Sequence, residues 1–229
     1  MFFNSSYFIY MIPGMLLVML TSWYVKSAYR KWSKVPARSR LSGYEAAQRL
    51  IKRGGLYGVQ IEAIRGEMTD HYDPRSKTLR LSLGVGQGTS VSSLAIAAHE
   101  LGHAMQDAED YFPLKARAAM VPMVNIGSNL GWILIMAGLF LGWLNIAWIG
   151  VAFFAGSALF ALMTLPVEFD ASARAKRLLA ETGIIQTEEE QRGVNNVLNA
   201  AALTYVAALV TAVLQVLYYA SMLSGRRRR

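Results

Sequence analysis

Residues 118–167 read AAMVPMVNIGSNLGWILIMAGLFLGWLNIAWIGVAFFAGSALFALMTLPV, fifty positions without Asp, Glu, Lys or Arg. One helix of about 20 residues already crosses about 30 Å of hydrocarbon, so this stretch holds two spans. Gly142 and Asn145 mark the turn between them, and Trp143 and Trp148 suit a membrane–water boundary. Working outward, two further apolar runs give four spans at about 7–25, 121–141, 146–165 and 200–223. Hydrophobic residues make up 54% of the 229 and mean hydropathy is +0.29, both high for a soluble domain of this length. Thr204, Thr211 and Gln215 interrupt the last span and are expected to face other helices rather than lipid.

The polar remainder has its own organisation. Ser42-Gly43-Tyr44-Glu45 is a capping box that opens a helix to about Arg53, with Gly54-Gly55 as its stop. Short strands are expected at 59–64, 68–72 and 78–82, separated by Arg65-Gly66 and by Asp73-Pro74-Arg75-Ser76. A Gly-rich stretch, 84–88, leads to a helix from Ser92 to Gln106, with Thr89, Ser90 and Ser92 as candidate caps. A second polar loop opens at Pro166, starting a helix to about Thr182 and stopping at Gly183. Thr187-Glu188-Glu189-Glu190 then caps a helix that runs into the fourth span.

His99-Glu100-Leu101-Gly102-His103 carries the chemistry. Residues four apart share one helix face, so both imidazoles can meet one metal ion. Glu100 can then reach a water on that ion and take its proton, as in zinc hydrolysis of peptide bonds. A mid-helix glycine costs about 1 kcal/mol against alanine, so Gly102 points to close approach by another backbone. The chain has no cysteine, which leaves nitrogen and oxygen donors for any metal and excludes disulfides.

Catalytic zinc takes three protein ligands. The remaining candidates are His71, Asp107, Glu109, Asp110, Glu168 and Asp170. Asp107 lies on the His103 face but too far along the axis. Glu168 is the best placed: it is the first charge after the apolar hairpin, which returns the chain to the side it left, and it stands at a helix start. Asp170 and His71 are alternatives; Asp170 lies about 200° from Glu168 around a helix, so the two do not share one ion. His71, Tyr72 and Arg174 are candidate donors to a developing oxyanion or to substrate. Thr78–Leu83 is either a candidate edge for pairing with substrate backbone or a strand that only packs on the metal helix.

With these residues in view, His99–His103 followed after a membrane hairpin by Glu168-Phe169-Asp170-Ala171 resembles the HtpX-type and CAAX-prenyl membrane zinc peptidases. They carry a glutamate ligand in an E-x-x-x-D pattern; Ser172 stands here where that pattern has Asp, so the hydrogen bond to a ligand imidazole must come from another group or be weaker. Asp70-His71-Tyr72-Asp73-Pro74, Ala97–His103, Asn125-Ile126-Gly127-Ser128 and Leu165–Ser172 more specifically resemble the YugP-type neutral zinc metallopeptidases of bacterial membranes, over nearly the whole chain.

The expectation is therefore a mostly α, multi-pass protein of the bacterial cell (inner) membrane. A single metallopeptidase domain, 1–229, carries a small α+β zincin-like unit (26–120) at the membrane face and a helical loop at 166–197. One Zn2+ would be held by His99, His103 and Glu168, with Glu100 as the base and a polypeptide or membrane protein as substrate. An intramembrane protease would need the motif inside a span, and only Leu94–Ala98 precedes it as an apolar run. The alternative is a non-proteolytic zinc-binding membrane protein or an inactive scaffold; a structural zinc site would commonly use four protein ligands, often cysteines, and the chain has none.

Charge supplies orientation. Of 23 Lys and Arg, fifteen fall in 26–120, four in 166–197 and four in 226–229. The two large loops are thereby cytoplasmic, and the active site with them. The first span, followed rather than preceded by Lys26, Arg30, Lys31 and Lys34, reads as an uncleaved anchor with its N-terminus outside. The arginine tail opposes this arrangement with a smaller count. The formal charge of +8 is an orientation signal; with charges of both signs mixed in the loops, nucleic acid is not an expected partner.

Overall fold

The structure, a computed structural model, describes residues 5–227; Arg228 and Arg229 of the basic tail lie outside them. It comprises α1 (Ser5–Trp32), α2 (Gly43–Arg53), β1 (Gln60–Ile64), β2 (His71–Asp73), β3 (Thr78–Ser82), α3 (Leu83–Gly86), α4 (Val91–Ala108), α5 (Phe112–Leu141), α6 (Leu144–Glu181) and α7 (Glu188–Arg227). The protein is a mostly α membrane protein with a small α+β part. Helices α1, α5, α6 and α7 are each long and apolar enough to cross a bilayer. The chain divides into two compact units. Among the described residues, one holds 5–22, Lys115–Pro166 and 204–227; the other holds Trp23–Leu114 and Val167–Leu203.

In the first, apolar unit, α5 and α6 meet through glycines. A methyl group on Gly131 would sit 2.9 Å from the carbonyl oxygen of Gly150, and one on Gly138 would sit 2.5 Å from the Ala147 nitrogen. Ile135, Leu139, Val151, Phe154 and Leu223 are buried beside this contact. Ser128 and Ser157 hydroxyls bond across it at 2.9 Å. Thr211 lies against Gly14 of α1, as expected of a polar residue in a span.

The polar unit is built around α4. Leu94, Ala95, Ala97, Ala98 and Leu101 are fully buried among Leu50 of α2, Leu79 and Leu81 of β3, Leu179 of α6 and Leu198 of α7. The capping box of α2 forms as expected: Ser42 Oγ accepts from the Glu45 amide, and Glu45 Oε2 accepts from the Ser42 amide at 2.8 Å. The Thr187–Glu190 box opens α7 in the same way. Ser90 is the cap of α4, accepting from the Ser93 amide.

Three expectations need correction. The sheet order is β1-β3-β2, with β1 parallel and β2 antiparallel to β3. Thr78–Ser82 is thus the central strand, with both edges occupied, and cannot pair with a substrate. The second strand is His71–Asp73 rather than 68–72, because Gly66 (φ 108°) and Met68 (φ 55°) continue the turn and Asp70 is spent capping Ser82, whose amide it accepts at 2.7 Å. The third concerns Pro166, which opens no new helix. It lies inside α6, continuous from Leu144 to Glu181, so Glu168 is a mid-helix residue. A proline there removes one ladder hydrogen bond, a loss that membrane helices accommodate more readily than soluble ones.

Candidate metal centre

Two helices of the polar unit make the site, and one glycine sets their separation. A methyl group on Gly102 would lie 2.4 Å from the carbonyl oxygen of Ala171. The backbones of α4 and α6 therefore touch where the sequence placed a glycine beside His103. This contact sets the Glu168 carboxylate over the two imidazoles. Glu168 Oε2 lies 3.3 Å from His99 Nε2 and 3.6 Å from His103 Nε2. The imidazole rings are 4.9 Å apart. One donor atom from each residue falls within 4.8 Å of the other two, the one such group of three found among the described residues.

These residues fit a zinc ion on two counts. Bonds of about 2.0–2.2 Å to nitrogen and oxygen in a tetrahedron put neighbouring donors about 3.3–3.6 Å apart, close to both observed contacts. Charge agrees. Glu168 is 2% exposed, and Glu100 stands beside it on α4, so two carboxylates share a largely dry pocket with two imidazoles. Burial favours the neutral His103 ring, but the Glu168 and Glu100 carboxylates outweigh it and raise its pKa. Such a pocket favours a cation among these groups.

The outer ring nitrogens are also engaged. His99 Nδ1 lies 3.2 Å from Ser172 Oγ, so the residue standing in place of the resemblance's Asp is itself the partner. His103 Nδ1 lies 3.0 Å from Gln106 Oε1. Gln106 escaped the sequence reading. Its one signal was position: a polar residue three beyond His103, on the same face of an otherwise close-packed helix.

Glu100 is mostly buried. Desolvation pushes its carboxyl above the ordinary range, against the pull of His99 and His103. Its Oε2 accepts the Tyr72 backbone N–H at 3.1 Å. The Tyr72 hydroxyl donates to Asp107 at 2.8 Å, seven residues further along the same face. Burial, then Asp107, raises the Tyr72 pKa and keeps the phenol protonated. Edge strand β2 is thereby laid along α4 at two points.

Other candidates stand elsewhere. His71 is exposed, its Nδ1 2.8 Å from the Thr69 carbonyl oxygen, and it does not join the group. Asp170 turns to Gln106 and Arg174. Arg174 is held between Asp170 at 2.6 Å and Glu109 at 2.8 Å, with Tyr111 under its guanidinium.

Residues 7–224 match the model of a family described as "Putative neutral zinc metallopeptidase". The chain belongs to this family. It is also 45% identical over 203 residues to a Bacillus subtilis (strain 168) protein named "Putative membrane protease YugP", covering 88% of this chain and 90% of that one. No solved structure matches it. Family, relative and apolar helices agree on a membrane protein of a zinc-metallopeptidase family.

Proposed function

We propose that this protein is an integral-membrane zinc endopeptidase, with one ion held by His99, His103 and Glu168 and with Glu100 as general base. The observation that carries the reading is the meeting of three donor atoms within 4.8 Å beside a fourth, base-competent side chain. Zinc there supplies Lewis acidity, polarising a peptide carbonyl and bringing the pKa of a water toward about 7. Glu100 takes the proton of that water as its oxygen joins the carbonyl carbon. It then passes the proton to the amide nitrogen as the C–N bond breaks, leaving a carboxylic acid, which keeps the water's second proton, and an amine. The two helices hold the donors in place, and burial keeps bulk water from competing for the carboxylates.

Substrate approach follows from β2. A strand residue turns its N–H and C=O to the same side, so Tyr72, whose N–H points to Glu100, presents both away from β3. An extended polypeptide, from a soluble chain or a membrane protein, would lie beside this edge and donate to the Tyr72 carbonyl oxygen, the Tyr72 N–H being engaged by Glu100. The nineteen Lys and Arg of the two large loops favour a cytoplasmic site in the bacterial inner membrane.

The test is metal content and casein cleavage of purified protein with and without chelator. Chelation should abolish cleavage and zinc should restore it. Glu168→Ala should lower zinc occupancy and cleavage together, whereas His71→Ala should leave occupancy unchanged. Chelator-resistant cleavage, or zinc content governed by His71, would overturn the reading.

A further inference from the structure

Gln106 is fully buried at the end of α4, and its three polar contacts determine which way its amide points. Two acceptors lie on the Nε2 side: the Val167 carbonyl oxygen and Asp170 Oδ2, each at 2.8 Å. Neither can donate, so the NH2 group must face them and Oε1 must face His103. Oε1 is an acceptor only. The 3.0 Å contact to His103 Nδ1 therefore requires the proton on that nitrogen, so in the neutral ring that a metal ligand must be, Nε2 is the nitrogen with the lone pair, on the side of Glu168.

The chain of contacts continues outward. Asp170 accepts from Gln106 with one oxygen, and the same oxygen accepts from Arg174 Nε at 2.6 Å. Arg174 also pairs with Glu109, which caps the C-terminus of α4. Asp170 lies two residues from Glu168, and on a helix it faces well away from the ion. Its carboxylate is nevertheless one amide away from the His103 ring.

We propose that Gln106 is a positioning residue for the metal centre. It fixes the His103 tautomer and ring orientation and relays the negative charge of Asp170 to that imidazole. The two imidazoles are then unequal: His99 is backed by a neutral serine hydroxyl, and His103 by an amide polarised by a carboxylate. Polarised hydrogen-bond chains strengthen each member, and a more basic imidazole binds zinc more tightly. Arg174 holds Asp170 in place without touching the ring. The inference rests on His103 being a zinc ligand, as proposed above.

The test reads metal affinity and ring tautomer, not turnover. Zinc affinity is measured by chelator competition on detergent-solubilised full-length protein. 15N-histidine NMR reports the rings directly, and the chain has only three histidines. Gln106→Leu should weaken zinc binding about 10–100-fold, and the His103 Nδ1 proton should lose its slow-exchange signal. Asp170→Asn keeps an acceptor oxygen for Gln106 while removing the charge; it should weaken zinc binding in the same direction by several-fold with the Nδ1 proton retained. Unchanged affinity and tautomer in a folded Gln106→Leu protein overturns the proposal. If that variant does not fold, unchanged affinity in Asp170→Asn overturns it alone. Loss of zinc in Glu168→Ala alongside unaltered binding in both variants would refute the relay and spare the zinc reading. Failure of the parent protein to bind zinc would refute both.

Discussion

Glu100 stands one position beyond the first imidazole, where its carboxylate flanks the donor cluster without joining it. Replacing it by glutamine leaves both imidazoles and Glu168 in place, and an amide oxygen can still accept the Tyr72 N–H. Only proton acceptance is lost. Glu100→Gln is therefore expected to keep its zinc and lose on the order of 10²–10⁴-fold in turnover. Zinc analysis with casein cleavage checks this, and turnover within a few-fold of the parent would remove Glu100 from the base role. His99, Glu100 and His103 were legible because their relation is local, fixed by helical spacing. Glu168 was legible for another reason: after fifty uncharged residues, the first carboxylate stands out. Gln106 and Ser172 were not, since a polar side chain has many possible partners and its actual one depends on how closely two backbones approach.

That approach belongs to the helices, and Gly102 governs it. An added methyl group would fall 2.4 Å from a backbone carbonyl, and a helix backbone cannot yield as a flexible side chain can. Gly102→Ala should push α4 and α6 apart by a few tenths of an ångström, lowering stability by about 1–3 kcal/mol. Zinc affinity should fall with it, because two donors ride on one helix and the third on the other. Thermal unfolding together with chelator competition measures both; a variant as stable and as zinc-avid as the parent would show that the contact does not set the site. The helices themselves were readable from caps and apolar length. Their continuity was not: Pro166 reads locally as a helix start, and only packing within α6 decides that it is an interior residue. The sheet was misread for a related reason. Strand order is a non-local property, and alternation in Thr78–Ser82 fits an edge or a centre equally well.

For the molecule as a whole, the proposed orientation rests on the count of charges, and it can be checked because the chain has no cysteine of its own. Ser76 and Gln186 lie in the same compact unit, so single cysteines at both should respond alike. With a cytoplasmic site, both should be shielded in intact cells from a membrane-impermeant thiol reagent (outer membrane permeabilised if one exists), and a cysteine at Ser5 should be labelled. Labelling of both loops would reverse the orientation and leave the site intact; labelling of one alone would contradict the shared unit. The division of the donor set between α4 and α6 also orders events in time. His99 and His103 leave the ribosome roughly 65 residues before Glu168, about 3–13 s at ordinary rates of synthesis. The intervening residues must enter the bilayer before the third donor can return. On the proposed site, a nascent chain thus carries two imidazoles and an incomplete donor set, and insertion of the hairpin is itself the step that completes it.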